Sequence, residues 1–311
     1  MPKLIDNFTS LLKTRVAIVL SGMAVLWLLF SSVALANGHP IDVFVSILPQ
    51  KYFVNQVCGD KVEVHVMVGP GQSPETYEPS PRQMEKLSHA AIYFRMGMPF
   101  ENTWMSRIKS LNPHLIIVDA REGIKLLDMS DDDIFLTTSA PGLSHDHGMK
   151  DPHIWTNPVN VAIFMEHFTA RLAALYPQDK SFYENNYHRF AAQLTDLDER
   201  IKTLFEPIHK KYLLVYHPSW GYFAQRYGLK QLPIEIEGKA PNAKSLAEII
   251  NFAKQNNLRT VFTQKQFSQR DAQAVANAIG GKVVAVDPLA EDYMHNMMDV
   301  ARQFARSMEN E

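Results

Sequence analysis

The stretch "YENNYHRFAAQLTDLDERIKTL", residues 183–204, indicates how the rest of the chain is organised. Its apolar side chains recur at alternating intervals of four and three residues, the spacing of one face of an α-helix. They are Tyr183, Tyr187, Phe190, Leu194, Leu197, Ile201 and Leu204. A helix of about 25 residues is roughly 38 Å long, and we predict that it forms a rigid spine over residues 178–206. The same spacing is also compatible with a coiled-coil seam.

Short β-like runs alternate with amphipathic segments on both sides of this spine. In chain order they are "IDVFVSI" (41–47), "VEVHVMV" (62–68), "AAIYF" (90–94), "LIIVD" (115–119), "YLLVY" (212–216), "TVF" (260–262) and "KVVAV" (282–286). Strands that alternate with helices form mostly parallel sheets. The predicted fold is therefore α/β, with two lobes of mostly parallel sheet flanked by helices and joined by one long rigid helix. We place the lobes at 37–177 and 207–311.

The first 36 residues have the features of a secretory signal peptide. Basic residues precede a mostly apolar run at 16–36, which ends in the small-residue motif Ala34-Leu35-Ala36. A run of about 20 apolar residues is also long enough for an uncleaved membrane anchor, but serine and glycine dilute this one, so we predict cleavage. Cys58 is the only cysteine and provides neither a disulfide nor a lipidation site after the run. This combination fits export to a Gram-negative periplasm.

Polar residues with metal-binding chemistry follow the predicted strands or precede a helix. The candidates are Glu75 in "GPGQSPETYEPSPRQ" (69–83), His153 in "DPHIWTNP", His217 in "YHPSW" and Asp287 in "VDPL". In open parallel sheets, ligands bind beyond the carboxyl ends of the strands. Two imidazoles and two carboxylates gathered there suit a divalent transition metal. A proline next to each candidate stiffens the backbone that would hold it.

The motifs "PETYEPSP", "DPHIWTNP", "YHPSWGYF" and "VDPL", in this order, resemble those of the metal-specific solute-binding proteins of ABC transporters, the ZnuA/TroA-like family. The resemblance covers about residues 41–305. It implies two α/β lobes joined by one long helix, with the metal held in the cleft between the lobes. It also implies that the chain captures a divalent metal in the periplasm and delivers it to an ABC permease, which works with a cytoplasmic ATPase.

The resemblance places the four metal ligands on Glu75, His153, His217 and Asp287. The first position departs from the family pattern, because the usual loop has histidine where this chain has Glu75. In the family that the chain resembles, histidine at the third position goes with zinc proteins and glutamate with manganese or iron proteins, so His217 favours zinc. The additional carboxylate favours manganese or iron, since hard oxygen donors suit Mn²⁺. We therefore predict Zn²⁺ as the bound metal, with Mn²⁺ or Fe²⁺ as the alternative.

Residues beside these motifs have predicted supporting roles. His145 and His147, in the short segment "SHDHG", are candidates for auxiliary capture of metal. Glu78 is expected to brace the first loop, and Trp155 and Trp220 are expected to shield the site from water.

Two other groups are interpreted as ordinary solvated residues. Glu235, with Glu237 and Lys239, lies in "LPIEIEGKAP" (232–241), which we assign to a solvated loop at a strand-like end; a role in closing the C-terminal lobe is the alternative. His65 lies on the face of its strand opposite a row of valines, and we expect it to face solvent.

Two further functions remain open at this stage. A periplasmic zinc hydrolase would need an open coordination position and a general base, but the chain has no H-E-x-x-H motif, and four protein ligands would close the shell. A metal-scavenging or adhesin-like protein without a transporter is the other alternative. The formal net charge of −2 gives no reason to expect nucleic acid as a partner. We expect a monomer that is not an enzyme.

Overall fold

The computed structural model describes residues 40–129, 150–235, 241–264, 266–267 and 269–309. The predicted signal peptide at 1–36 lies outside these residues, as do His145, His147, Glu237 and Lys239. Within the described ranges, no helix is both long enough and apolar enough to cross a membrane.

The first half of the chain forms a four-stranded parallel sheet. Its strands are β1 (Ile41–Val45), β2 (Val62–Val66), β3 (Ile92–Arg95) and β4 (Ile116–Asp119). Their spatial order is β2-β1-β3-β4, and every neighbouring pair is parallel. The accompanying helices are α1 (Leu48–Cys58), α2 (Pro81–Leu87) and α3 (Pro99–Leu111). Strand β1 is central and its last three residues are buried, as the continuous apolar run of an internal parallel strand requires.

The predicted spine is present as a 26-residue helix. Helix α4 (Pro158–Leu175) precedes it, and α5 (Lys180–Phe205) is the spine itself. Most of the predicted apolar stripe is buried, namely Tyr183, Phe190, Leu194, Leu197 and Ile201. Tyr187 and Leu204 are only half-buried, and Phe205 is the buried residue at the end of the stripe. The long helix predicted for 178–206 is therefore confirmed.

A second four-stranded parallel sheet follows the spine. Its strands are β5 (Tyr212–Val215), β6 (Lys230–Pro233), β7 (Thr260–Thr263) and β8 (Lys282–Ala285), and its helices are α6 (Gly221–Arg226), α7 (Ala243–Gln255), α8 (Gln269–Ala278) and α9 (Tyr293–Glu309). The order β6-β5-β7-β8 repeats the order of the first sheet. Only three strands were predicted here. The missed strand, β6, is a short edge strand with two polar residues that ends in proline, a residue confined to edges and strand ends.

The two sheets share a continuous hydrophobic core. Helix α5 contacts α1 beside the first sheet and α9 beside the second. One cluster of buried side chains runs from Phe94 in β3 through Phe190 of the spine to Phe304 in α9. The predicted α/β architecture with one joining helix is thus confirmed, while the lobe boundaries at 37–177 and 207–311 stay predictions.

Candidate metal site

Three of the predicted ligands meet between the two sheets. Glu75 lies in the loop after β2, His217 follows β5, and His153 precedes the short 3₁₀ turn Ile154–Thr156. One ligand atom from each of these side chains lies within 4.8 Å of the others. The His153 and His217 rings are edge to face with centroids 5.3 Å apart, and both residues are buried. A group of two imidazoles and a carboxylate at this spacing can bind a divalent cation.

The loop that carries Glu75 is anchored on the side that leads into α2. Gly71 has a φ of +76°, a backbone conformation that favours glycine. Tyr77 is buried with its ring edge-on to Phe100 at 4.9 Å. Further along, Ser80 and Gln83 form a capping box that begins α2. These contacts hold the loop on the first lobe and present Glu75 to the histidines.

His153 is oriented by the aspartate two residues before it. Oδ1 of Asp151 accepts a hydrogen bond from the His153 backbone N–H at 2.9 Å and lies 2.7 Å from Nδ1 of the ring. Because a carboxylate accepts hydrogen bonds, Nδ1 is the donor in this contact, which leaves Nε2 as the ring atom that can face a metal.

The segment around His153 is bound to the second lobe by three hydrogen bonds. The Tyr222 hydroxyl donates to the Asp151 carbonyl at 3.0 Å, and the Tyr293 hydroxyl donates to the Trp155 carbonyl at 2.8 Å. The indole N–H of Trp155 donates to the Pro288 carbonyl at 2.7 Å. These hydrogen bonds tie the His153 segment to α6, α9 and the loop after β8, although the segment precedes the spine in sequence.

His217 has a carboxylate near each ring nitrogen. Glu235 Oε1 lies 3.3 Å from Nδ1, and Glu75 Oε1 lies 3.3 Å from Nε2. Phe267 stacks on the ring, with centroids 4.6 Å apart. Nε2 is buried and has no partner in hydrogen-bond geometry among the described residues. A buried nitrogen that faces a carboxylate and a second imidazole without a well-formed hydrogen bond fits a metal-binding position.

The charges of these groups are strongly coupled. Burial raises the pKa of Glu75, but contacts with His217, a hydrogen bond from Ser73 and the charge of His153 outweigh it and lower the pKa to about 2. Burial lowers the pKa of His217, but Glu235 and Glu75 outweigh it and raise the pKa to about 9. Without metal, the protonated His217 ring is therefore a cation between two carboxylates at neutral pH. A bound metal would displace the proton and supply the positive charge in its place.

Asp287 is not part of this group of three. It is half-buried just beyond β8, and its Oδ1 accepts a hydrogen bond from the Leu289 backbone N–H at 2.9 Å. The next residue, Pro288, accepts the hydrogen bond from Trp155. The structure thus places Asp287 beside the His153 segment, with its carboxylate turned to its own loop.

The predicted supporting residues differ in their surroundings. Trp155 is buried with its ring 5.2 Å from that of His153. Trp220 is also buried, but its ring packs edge-on against Phe223 and Phe304. Glu78 is exposed on the loop surface.

Sequence reasoning missed the two carboxylates that hold the histidines. The assignment of Glu235 to a solvated loop is wrong: its exposed fraction is 4%, because the β5–β6 pairing brings it beside His217. The position of Asp151 two residues before His153 was a usable signal, since carboxylates commonly orient metal-binding histidines. The stacking of Phe267 had no such signal.

Comparison with known proteins identifies the chain's relatives. The family described as "ZnuA: Zinc-uptake complex component A periplasmic" matches residues 43–307. The chain belongs to the ZnuA family. The high-affinity zinc uptake system protein ZnuA of Bacillus subtilis (strain 168) is 29% identical over 258 residues, which are 82% of this chain and 80% of that protein.

Two further matches cover similar parts of the chain. The manganese ABC transporter substrate-binding lipoprotein PsaA of Streptococcus mitis is 27% identical over 286 residues, which are 85% of this chain and 87% of that protein. A crystal structure of a ZnuA deletion mutant with zinc bound has a TM-score of 0.79 at 37% identity and covers 86% of this chain and 98% of that one. Family membership makes this chain a metal-binding component of an ABC uptake system and not an enzyme.

Proposed function

We propose that the chain captures a divalent transition metal, zinc in preference to manganese or iron, and delivers it to an ABC permease that works with a cytoplasmic ATPase. The observation that carries this proposal is the buried Nε2 of His217, which has no well-formed hydrogen bond among the described residues and lies beside Glu75 and His153. A carboxylate hydrogen-bonded to Nδ1 leaves the other ring nitrogen free to coordinate. The metal is the cargo of the protein.

The proposed ligands are Glu75, His153, His217 and Asp287. Two imidazole nitrogens favour zinc over manganese, because zinc is borderline-soft while manganese suits oxygen donors. Asp287 completes the set when its side chain turns from the Leu289 amide towards the histidines. Four protein donors would close the coordination shell, which suits transport better than hydrolysis.

The proposed transport function also includes export of the chain to the periplasm and release of the metal to the transporter. We propose that residues 1–36 are cleaved as a signal peptide and that the mature chain acts in the periplasm as a monomer, with the transporter as its partner rather than scavenging metal alone. The three hydrogen bonds from Tyr222, Tyr293 and Trp155 keep His153 with the second lobe. The loop of Glu75 is then the part whose movement opens the site for release.

Replacing Glu75 tests the ligand set and the metal preference together. In competitive titration of the metal-free protein with Zn²⁺ and Mn²⁺, we expect zinc to bind more tightly in the wild type. Glu75→Ala is expected to weaken zinc binding about 100-fold, since it removes a charged donor from the set. Glu75→His is expected to favour zinc over manganese further, because it exchanges an oxygen donor for nitrogen.

Glu78→Ala is the matched control, since Glu78 is an exposed carboxylate three residues along the same loop. Its zinc affinity should equal that of the wild type. If Glu75→Ala also retained wild-type affinity, Glu75 would not be a ligand. Tighter binding of manganese than of zinc by the wild type would overturn the zinc preference.

Glu235 is expected to act on the metal through His217. Glu235→Ala removes the acceptor for Nδ1, so the ring is no longer held with Nε2 towards the site, and zinc affinity should fall about 10- to 100-fold. Glu235→Gln keeps a carbonyl acceptor at the same place and should lose much less. Zinc affinity and thermal unfolding of the metal-free protein are measured for both. Equal losses in the two variants would show that the charge of Glu235, and not its hydrogen bond, supports the site.

A further inference from the structure

A second group of potential metal ligands lies on the first sheet. Asp42 in β1 and Glu63 and His65 in β2 each offer one ligand atom, and these atoms lie within 4.8 Å of one another. Nε2 of His65 is 2.7 Å from Asp42 Oδ1 and 3.7 Å from Glu63 Oε1. The expectation that His65 is simply solvated is therefore wrong, because Asp42 binds its ring and only 16% of the side chain is exposed.

Strand pairing fixes the position of these three side chains. Asp42 is directly opposite Glu63 in the parallel register, and His65 is two residues along the same strand as Glu63. Residues two apart on a strand share a face, so all three side chains project from one side of the sheet. The His65 ring also lies against Phe44, with centroids 4.9 Å apart. The three donors are thus held by the backbone of two adjacent strands rather than by a loop.

The two carboxylates of this group carry more negative charge than the single imidazole can balance. Like charges directly opposite each other on adjacent strands are destabilising, and Asp42 and Glu63 are such a pair. The ion pairs that these two carboxylates make with described residues are both with His65. One imidazole carries at most one positive charge, so it cannot balance both carboxylates. A divalent cation would neutralise both.

The distances are close to those of a metal site. Zinc binds nitrogen and oxygen at about 2.0–2.2 Å, which places tetrahedral ligand atoms about 3.4 Å apart. The observed separations of 2.7 and 3.7 Å lie on either side of that value. Small side-chain rotations bring both to it, since the Asp42 and Glu63 side chains are 45% and 63% exposed.

We infer that Asp42, Glu63 and His65 form a second, weaker binding site for a divalent transition metal of the zinc class, with water completing the coordination shell. It is separate from the site of His153 and His217 and shares no residue with it. With one nitrogen, two oxygens and exposed carboxylates, it holds metal less tightly than a buried site. The inference does not depend on the proposed transport function.

The test removes the first site and titrates what is left. In a background of His153→Ala and His217→Ala, with His145 and His147 also changed to alanine, Zn²⁺ is titrated against a competing chelating dye. This background is expected to retain about one weakly bound equivalent of zinc, and adding His65→Ala should abolish it. Glu63→Gln removes one exposed donor without disturbing the Asp42–His65 contact, and it should weaken this binding at least about tenfold.

His295→Ala is the matched control, because His295 forms an exposed pair with Asp299 at 3.0 Å and belongs to no group of three donors among the described residues. It should leave the second equivalent unchanged. If His65→Ala and Glu63→Gln both titrate like His295→Ala, the group is an ordinary surface ion pair and the inference fails. Since the first site is absent throughout, that failure says nothing about transport.

Discussion

Replacing His153 with alanine is expected to lower zinc affinity about a thousandfold, or about 4 kcal/mol. In the proposed site His153 is one of two buried nitrogen donors, and Asp151 contacts its Nδ1. Alanine removes the donor and leaves the Asp151 carboxylate without its ring partner. The affinity is measured by competition with a chelator of known zinc affinity.

The fold should survive this change, because the segment around His153 is held by backbone carbonyls that the substitution leaves in place. Those of Asp151 and Trp155 still accept hydrogen bonds from Tyr222 and Tyr293. Circular dichroism and thermal unfolding of the metal-free variant check this. His188→Ala, an exposed histidine on the spine, should bind zinc like the wild type. Wild-type affinity in His153→Ala would remove His153 from the site and with it the proposed ligand set.

Much of the fold follows from periodicity, because the elements that bury most apolar surface also show the clearest patterns. The spine could be predicted from seven apolar positions, and the structure buries five of them fully. The internal strands were equally easy to predict from the sequence, since both faces of a parallel sheet are covered and its strands are therefore continuous apolar runs. Strand β6 was not, because "KQLP" is too short and too polar to show a period, and only its pairing with β5 makes it a strand.

The same missed strand explains the main gap in the predicted site. The β5–β6 register pairs Val215 with Pro233, so continuing it by two residues sets His217 beside Glu235. Eighteen residues of sequence separate them, and no local pattern links them without the strand. The predicted ligands Glu75, His153 and His217 were easier, because loops beyond the carboxyl ends of parallel strands converge. The direction of the Asp287 side chain depends on one loop hydrogen bond, which spacing does not reveal.

Removal of the Asp198 carboxylate is expected to have the largest effect on stability. Asp198 lies on the spine and is buried, and it accepts hydrogen bonds from the Arg226 guanidinium in α6 and from the Tyr227 hydroxyl at 3.0 Å. It therefore ties the spine to the second lobe. Asp198→Ala leaves both donors without their acceptor, and we expect the free energy of unfolding of the metal-free protein to fall by about 3 kcal/mol. Urea denaturation followed by circular dichroism measures it.

This contribution should also disappear in acid. Burial raises the pKa of Asp198, but hydrogen bonds from Arg226 and Tyr227 outweigh it, so the pKa is lower in the folded than in the unfolded chain. The carboxylate thus stabilises the fold fully above about pH 4, the ordinary range for aspartate, and progressively less as the pH falls towards the folded pKa. The difference in free energy of unfolding between the wild type and Asp198→Ala should therefore become smaller below about pH 4.

Asp196→Ala on the same helix is the control. Among the described residues, its carboxylate pairs with the exposed Arg200, so the substitution should change the free energy of unfolding by less than about 0.5 kcal/mol at any pH. Equal effects of the two substitutions at pH 7 would show that the spine is held by its apolar face alone.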